Sequence, residues 1–177
     1  MKRILLIGGL TVLMSIRTMA QIETPRVEVF GGYSYAGGNF HGWNASVTGN
    51  VNKWFGVMAD FSGYYGGSSG PNFDERQSAH TYLVGPKISF RRKRVTPFAY
   101  ALFGGLHINI RTSEFGERSS TSDTGSSIAV GGGLDVRVND RIAIRAFQID
   151  YLRANIFDEA NNRGRLSFGV VLHFGKK

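Results

Sequence analysis

Large apolar residues return at every second position along most of this chain. The plainest case lies between residues 164 and 174, where Leu166, Phe168, Val170, Leu172 and Phe174 alternate with smaller or polar residues such as Ser167, Gly169 and His173. A period of two is the signature of a pleated strand, whose successive side chains leave on opposite faces. Seven further segments repeat it: 26–36, 43–51, 54–66, 78–91, 95–110, 125–138 and 141–153.

In the first, Val27, Val29, Tyr33 and Tyr35 oppose Glu28, Gly32 and Ser34, with Phe30 breaking the pattern. In the second, Trp43, Ala45, Val47 and Val51 alternate with a hydroxyl and amide face, Asn44, Ser46, Thr48 and Asn50. The third sets Phe55, Val57, Phe61 and Tyr65 against Asp60 and Ser62, and the fourth sets Tyr82, Val84, Ile88 and Phe90 against Thr81, Gly85, Lys87 and Ser89. The fifth gathers Phe98, Tyr100, Leu102, Leu106, Ile108 and Ile110 on its oily side. The sixth sets Ile128, Val130, Leu134 and Val136 opposite Ala129, Gly131, Gly133, Asp135 and Arg137. In the seventh the phase slips between Ile144 and Phe147, which predicts a β-bulge near Ala146.

The connections alternate in length. "NK" (Asn52, Lys53), "RRKR" (Arg91, Arg92, Lys93, Arg94) and "ND" (Asn139, Asp140) are short enough for hairpins, while the intervening connections are mostly longer and rich in Gly and Ser. Short turns on one rim and long loops on the other are the layout of an outer-membrane barrel. The pattern predicts an all-β fold, an eight-stranded antiparallel up-and-down barrel.

Periodicity alone does not say which face is the core. An eight-stranded barrel has an interior just wide enough for its own side chains or one small ligand. About five large apolar groups per segment, about forty in all, overfill it, so the oily set is expected to face outward. Such an exterior is unfavourable in water and favourable in lipid. About ten residues at roughly 3.3 Å each, tilted near 45°, rise to match the approximately 25 Å apolar band of a membrane barrel.

Composition refines this picture. The chain has 177 residues, 24 glycines, four prolines and no cysteine, which excludes disulfides and thiolate metal sites. Residues 1–20 place Lys2 and Arg3 before an apolar run and end on Thr18-Met19-Ala20, the order of a cleavable signal peptide. The predicted barrel domain is then 21–177. Losing Lys2, Arg3 and Arg17, with no acid among them, takes the formal charge from +8 to +5. That mild balance, on an exported chain, gives no reason to expect a nucleic-acid partner.

With its closing strand "FGVVLHF", the chain resembles the small eight-stranded outer-membrane barrels of Gram-negative bacteria, the OmpA-like and opacity-protein type. The resemblance covers essentially all of 21–177 and implies an outer-membrane location. It also implies that Phe168, Val170, Leu172 and Phe174 form the strand recognised by the barrel-assembly machinery, although Gly175, Lys176 and Lys177 follow the aromatic here. No cell-wall-binding domain follows the barrel, so no peptidoglycan anchor is expected.

Candidate chemistry is sparse. Glu28, Asp60, Lys87, Asp135, Arg137 and Arg145 fall on the expected lumen face, three acids and three bases that should pair, because an unpartnered buried charge costs several kcal/mol. Tyr33, Tyr35, Trp43, Trp54, Tyr65 and Tyr82 lie near strand ends, where amphipathic rings form interfacial belts. The basic turn Arg91–Arg94 is expected at the inner rim among lipid headgroups, each charge contributing about 1 kcal/mol near an anionic surface. His41, His80, His107 and His173 have no metal-ligand spacing, and no nucleophile motif is present, so neither cofactor nor enzyme activity is expected. The polar stretches 66–78, 111–124 and 154–163 are read as exposed loops available to an extracellular partner. The expectation is a monomeric, non-enzymatic barrel; the alternatives are a small-solute or ion pore and a soluble lipocalin-like carrier of an apolar ligand.

Overall fold

The computed structural model describes residues 24–37, 40–70, 73–114, 117–156 and 159–176; the expected signal segment lies outside them. Eight strands follow in order: β1 (Pro25–Tyr35), β2 (His41–Asn50), β3 (Phe55–Gly70), β4 (Phe73–Ser89), β5 (Val95–Glu114), β6 (Glu117–Arg137), β7 (Ile142–Ile156) and β8 (Glu159–Lys176). Every neighbouring pair is antiparallel, and β1 closes on β8, with Tyr33 opposite both Trp43 and Phe168. Closure satisfies every strand edge, which hydrocarbon could not hydrate.

The short turns explain themselves locally. Asn52 Oδ1 accepts hydrogen bonds from the backbone N–H groups of Trp54 and Phe55 at 2.8 and 2.9 Å, and Asn139 Oδ1 accepts from Arg141 and Ile142, both at 2.8 Å. An Asn side chain that bonds its own backbone two or three residues on closes a turn without help from tertiary packing. Both chain ends of the barrel lie at this trimmed rim.

At the other rim the expectation of long loops is corrected. The described residues of 66–78 and 111–124 continue as paired strands: Gly66 to Gly70 face Gln77 to Phe73, and Arg111 to Glu114 face Ser120 to Glu117. Of 154–163, the described residues also pair, Ala154 with Asn161 and Ile156 with Glu159. β5 and β6, with 20 and 21 residues, are about twice the 9–11 needed to cross a bilayer. Described polar side chains such as Arg76, Arg111, Ser119 and Ser120 are exposed there, and the sequence alternation fades while the backbone ladder carries on.

Seven strands present their oily face outward, as volume demands. Val47, Phe61, Ile88, Val130, Phe168 and Val170 are among the large apolar side chains exposed on the barrel wall. A greasy exterior with a polar interior inverts the lipocalin arrangement, and the soluble-carrier alternative falls with it. Two of the surface rings cover glycines on the next strand, where an added Cβ would come within 2.6 Å of Trp43 at Gly63 and within 2.5 Å of Tyr82 at Gly105. In β7 the register shifts between Arg145 and Gln148, and Ala146 and Phe147 both face outward. That bulge keeps Arg145 and Gln148 on the inside.

β5 is the exception. Its predicted lipid face, Phe98, Tyr100, Leu102 and Leu106, is buried in the lumen, and Ala99, Ala101 and Phe103 point outward. Room comes from β6, whose inward residues are Ser127, Ala129, Gly131 and Gly133; a Cβ on Gly133 would meet the Phe98 ring at 2.8 Å. Met58, Leu83, Ala129 and Leu152 pack with Phe98, Tyr100 and Leu102 into one apolar cluster, while Leu106 packs with Ala154 in a second.

Candidate functional site

The barrel interior concentrates the charge. Strand parity delivers it: on each strand the residues between the lipid-facing ones must point inward. Glu28 (β1), Asp60 (β3), Lys87 (β4), Asp135 (β6), Asp150 (β7), Arg145 (β7), Arg165 (β8) and Arg91, just after β4, are all buried. Four acids meet four bases.

Near the trimmed rim Glu28 accepts from Lys87 Nζ at 2.8 Å and from Arg91 at 2.6 Å. Arg91 also donates to Asn50 Oδ1 at 2.8 Å and to the Lys53 carbonyl at 2.7 Å, tying the two inner turns together. The Lys87 ammonium stands 4.7 Å over the Phe98 ring.

One layer up, Arg145 holds both oxygens of Asp135, at 2.8 and 3.1 Å, and donates to Gln148 Oε1 at 2.6 Å. Its guanidinium lies between two rings, 4.2 Å from Phe30 and 4.3 Å from Phe98. The aromatic faces replace water on the parts of the cation that no carboxylate reaches. Phe30, out of pattern in the sequence, is inside for this reason.

Higher still, Arg165 bridges two carboxylates, donating to Asp60 Oδ1 at 2.8 Å and, through Nε, to Asp150. Asn44 donates to Asp60 Oδ2 at 2.8 Å. Gln148 reaches Asp150 at 3.3 Å and Asn44 at 3.5 Å. Gln148 thus links the Arg145 layer to the Arg165 layer. Above them Ser34 bonds both Ser167, at 2.8 Å, and the Tyr64 hydroxyl, at 2.9 Å, and Ser62 bonds Thr81. Side chains from β1, β2, β3, β4, β6, β7 and β8 meet across the lumen in these layers.

Of the six charges expected in the lumen, Glu28, Asp60, Lys87, Asp135 and Arg145 enter these networks. Arg137 faces inward at the inner end, beside Glu28, Asp135 and His173 around a cavity of about 10 Å³, but makes no ion pair among the described residues. Arg91 corrects the reading of the basic turn: it is buried at 4% exposure, and only Arg92, Lys93 and Arg94 project from the rim. Asp150 and Arg165 lie outside the expected set, although parity marks both: Asp150 stands between outward Ile149 and Tyr151, and Arg165 just before outward Leu166.

The aromatics fall at both ends of the wall. Tyr33, Tyr35, Trp43 and Tyr65 lie exposed on the outer part of β1–β3, where Tyr33 and Tyr35 gather around His41 and the Tyr33 hydroxyl bonds it. Tyr82 lies on the wall over Gly105. Trp54 sits at an inner turn, edge-on to Phe90 at 5.7 Å with Lys53 above it. Phe168, Val170, Leu172 and Phe174 form an unbroken outward stripe on β8.

Above the charged layers the lumen changes character. Leu106, Ile108, Leu152, Ala154, Tyr64 and Phe40 line a cavity of about 190 Å³ toward the elaborated rim. No residue type at this level announces it in the sequence, since its walls are gathered from β3, β4, β5, β7 and β8, with the inward phase of β5 supplying Leu106 and Ile108.

Solved structures share this architecture. Ail, the attachment invasion locus protein of Yersinia pestis, aligns with a TM-score of 0.62 at 20% identity, over 84% of this chain and 96% of that one. The N-terminal β-barrel domain of Pseudomonas aeruginosa OprF aligns at 0.53 and 12% identity, over 86% and 100%. Neisserial surface protein A aligns at 0.51 and 15% identity, over 84% and 96%. At such identities the likeness speaks for the fold. No curated protein sequence matches the chain. The family model for the outer membrane protein beta-barrel domain matches residues 8–174, nearly the whole chain. The protein therefore belongs to the outer membrane β-barrel domain family, an integral barrel of the Gram-negative outer membrane.

Proposed function

We propose that this barrel is a non-conducting, non-enzymatic wall element whose lumen is sealed by its own salt-bridge network and whose outer hairpins contact the cell's surroundings. The observation that carries the reading is the Gln148 link, which joins the Arg145–Asp135 layer to the Arg165–Asp150 pair along β7, while Arg165–Asp60 and Gln148–Asn44 reach across the lumen to β3 and β2. Each of the four buried carboxylates is engaged by a guanidinium or ammonium, so none stands free as a general base. A path for ions would have to break these contacts, and removing one member of a buried pair costs about 3–5 kcal/mol.

Purified barrel in planar bilayers is expected to give no steady conductance. Steady current from the native chain, altered by Lys87→Ala, would instead support the pore. Incubation with lipopolysaccharide or phospholipid is expected to release no acyl chain.

The ladders of β3–β4 and β5–β6 run on beyond the length needed to cross the membrane, through polar sequence of mixed charge. Binding on such projections is favoured because a firm scaffold holds them in place. Replacing 66–78 and 111–124 by short turns should leave a folded barrel in the outer membrane and abolish cell-surface adhesion conferred by the native chain. Unchanged adhesion would rule out a contact role for both hairpins. At the inner rim, Lys53, Arg92, Lys93, Arg94 and Arg141 are exposed around the turns and suit anionic phospholipid headgroups.

A further inference from the structure

Two arginines occupy successive inward positions on β8, and their fates differ. Arg165 is buried and saturated by Asp60 and Asp150. Arg163, one pleat nearer the outer rim, is exposed, pairs with no carboxylate among the described residues, and stacks its guanidinium 4.5 Å from the Phe40 ring. It stands at the edge of the 190 Å³ cavity.

Burial rather than register orders depth in that cavity: Leu152 pairs with Arg163 and Ala154 with Asn161, yet the β7 members are buried and the β8 members exposed. Leu106, Leu152, Ala154 and Tyr64 form the buried lower wall. Ile108 and Ile110, farther out on β5, are half-buried, and Asn161 and Arg163 at the top are exposed, so the cup opens outward. Below, the Tyr64–Ser34–Ser167 hydroxyl chain closes it off from the charged layers. The remaining polar liners, Gln77, Ser78, Thr81 and Asn161, carry no charge. Among the described residues the cup is therefore a dead end with an apolar body and Arg163 as the cation at its lip.

From this arrangement we infer that the outer end of the lumen binds a medium-chain monocarboxylate, an unbranched alkyl chain of about six to eight carbons with its head on Arg163. An apolar cavity of roughly 150 Å³ holds a six-carbon ring, which scales to this length for the present volume. The planar guanidinium fork matches a carboxylate bidentately, and stacking on Phe40 holds one face of it still. A charged head at the lip stays in contact with water while the tail leaves it, so neither end bears an uncompensated desolvation.

The test is calorimetric titration of the full chain, folded in phospholipid nanodiscs, with butyrate, hexanoate, octanoate and decanoate against empty nanodiscs. Saturable one-to-one binding is expected, tightening roughly fourfold per methylene, equivalent to about 0.8 kcal/mol, and levelling off near eight carbons. Partitioning into the bilayer would rise without levelling off and would match the empty discs; that outcome overturns the inference. Arg163→Gln should weaken octanoate about tenfold and leave octanol unchanged. Equal binding of octanol and octanoate by the native chain would remove the carboxylate from the proposal. Ala154→Phe should abolish binding while the heat-shifted gel band of the folded barrel persists; Ile108→Trp, nearer the rim, serves if the first variant does not fold. A phospholipid retained one per barrel in the native mass spectrum, and displaced by no carboxylate, would assign the cup to a lipid tail and contradict the inference.

Discussion

β5 and β8 carry nearly the same pattern and bury opposite faces of it. On β8, Leu166, Phe168, Val170 and Leu172 stand outward and Arg165, Ser167, Gly169 and Val171 inward. On β5, Phe98, Tyr100 and Leu102 stand inward and Ala99, Ala101 and Phe103 outward. The residues that intervene decide. β8 alternates grease with an arginine and a serine, which lipid would not accept. β5 alternates grease with alanine, and alanine is tolerated on either side. The volume argument holds for the barrel as a whole, because about forty large groups do not fit the lumen, yet it leaves room for a few. Gly131 and Gly133 on β6 provide that room, beside Phe98 and Asp150.

The largest effect should come from β8. Arg165→Met strands Asp60 and Asp150 in the interior without their cation and should cost about 3–5 kcal/mol, read as a lowered denaturant midpoint of the vesicle-embedded barrel. A midpoint within experimental error of the native one would mean these carboxylates are not held as the contacts indicate. Next comes β5: Leu102→Ala opens a hole among Met58, Leu83 and Leu152 and should cost about 2–5 kcal/mol. Phe168→Leu, on the lipid face of β8, keeps an apolar group against hydrocarbon and should shift the same midpoint by less than about 1.5 kcal/mol. If these two substitutions exchanged rank, the assigned faces of β5 and β8 would be reversed. The smallest effect should be Tyr82→Ala, which uncovers Gly105 and removes one cross-strand contact of about 0.2–1 kcal/mol.

Most of the barrel was legible because its information is local. Alternation marked all eight strands, the phase slip between Ile144 and Phe147 marked the bulge, and Asn52 and Asn139 marked their turns. What escaped was nonlocal or masked by a stronger local feature. The inward face of β5 depends on glycines in β6, some thirty residues away. Arg91 continues the inward parity of Lys87 and Ser89, but a run of four basic residues resembles a rim and hid it. The outer hairpins carry no clean alternation in sequence, and so look like loops. Asp150 and Arg165 needed only parity, applied to charges as strictly as to grease.

The face assignment admits a direct measurement on the native chain. A phospholipid carrying a photoactivated diazirine in its acyl chain, irradiated with the folded barrel and mapped by mass spectrometry, should modify Phe103, Val130, Phe168 and Val170 and leave Phe98, Tyr100 and Leu102 untouched. Adducts on Phe98 and Leu102 with Phe103 clean would contradict the account.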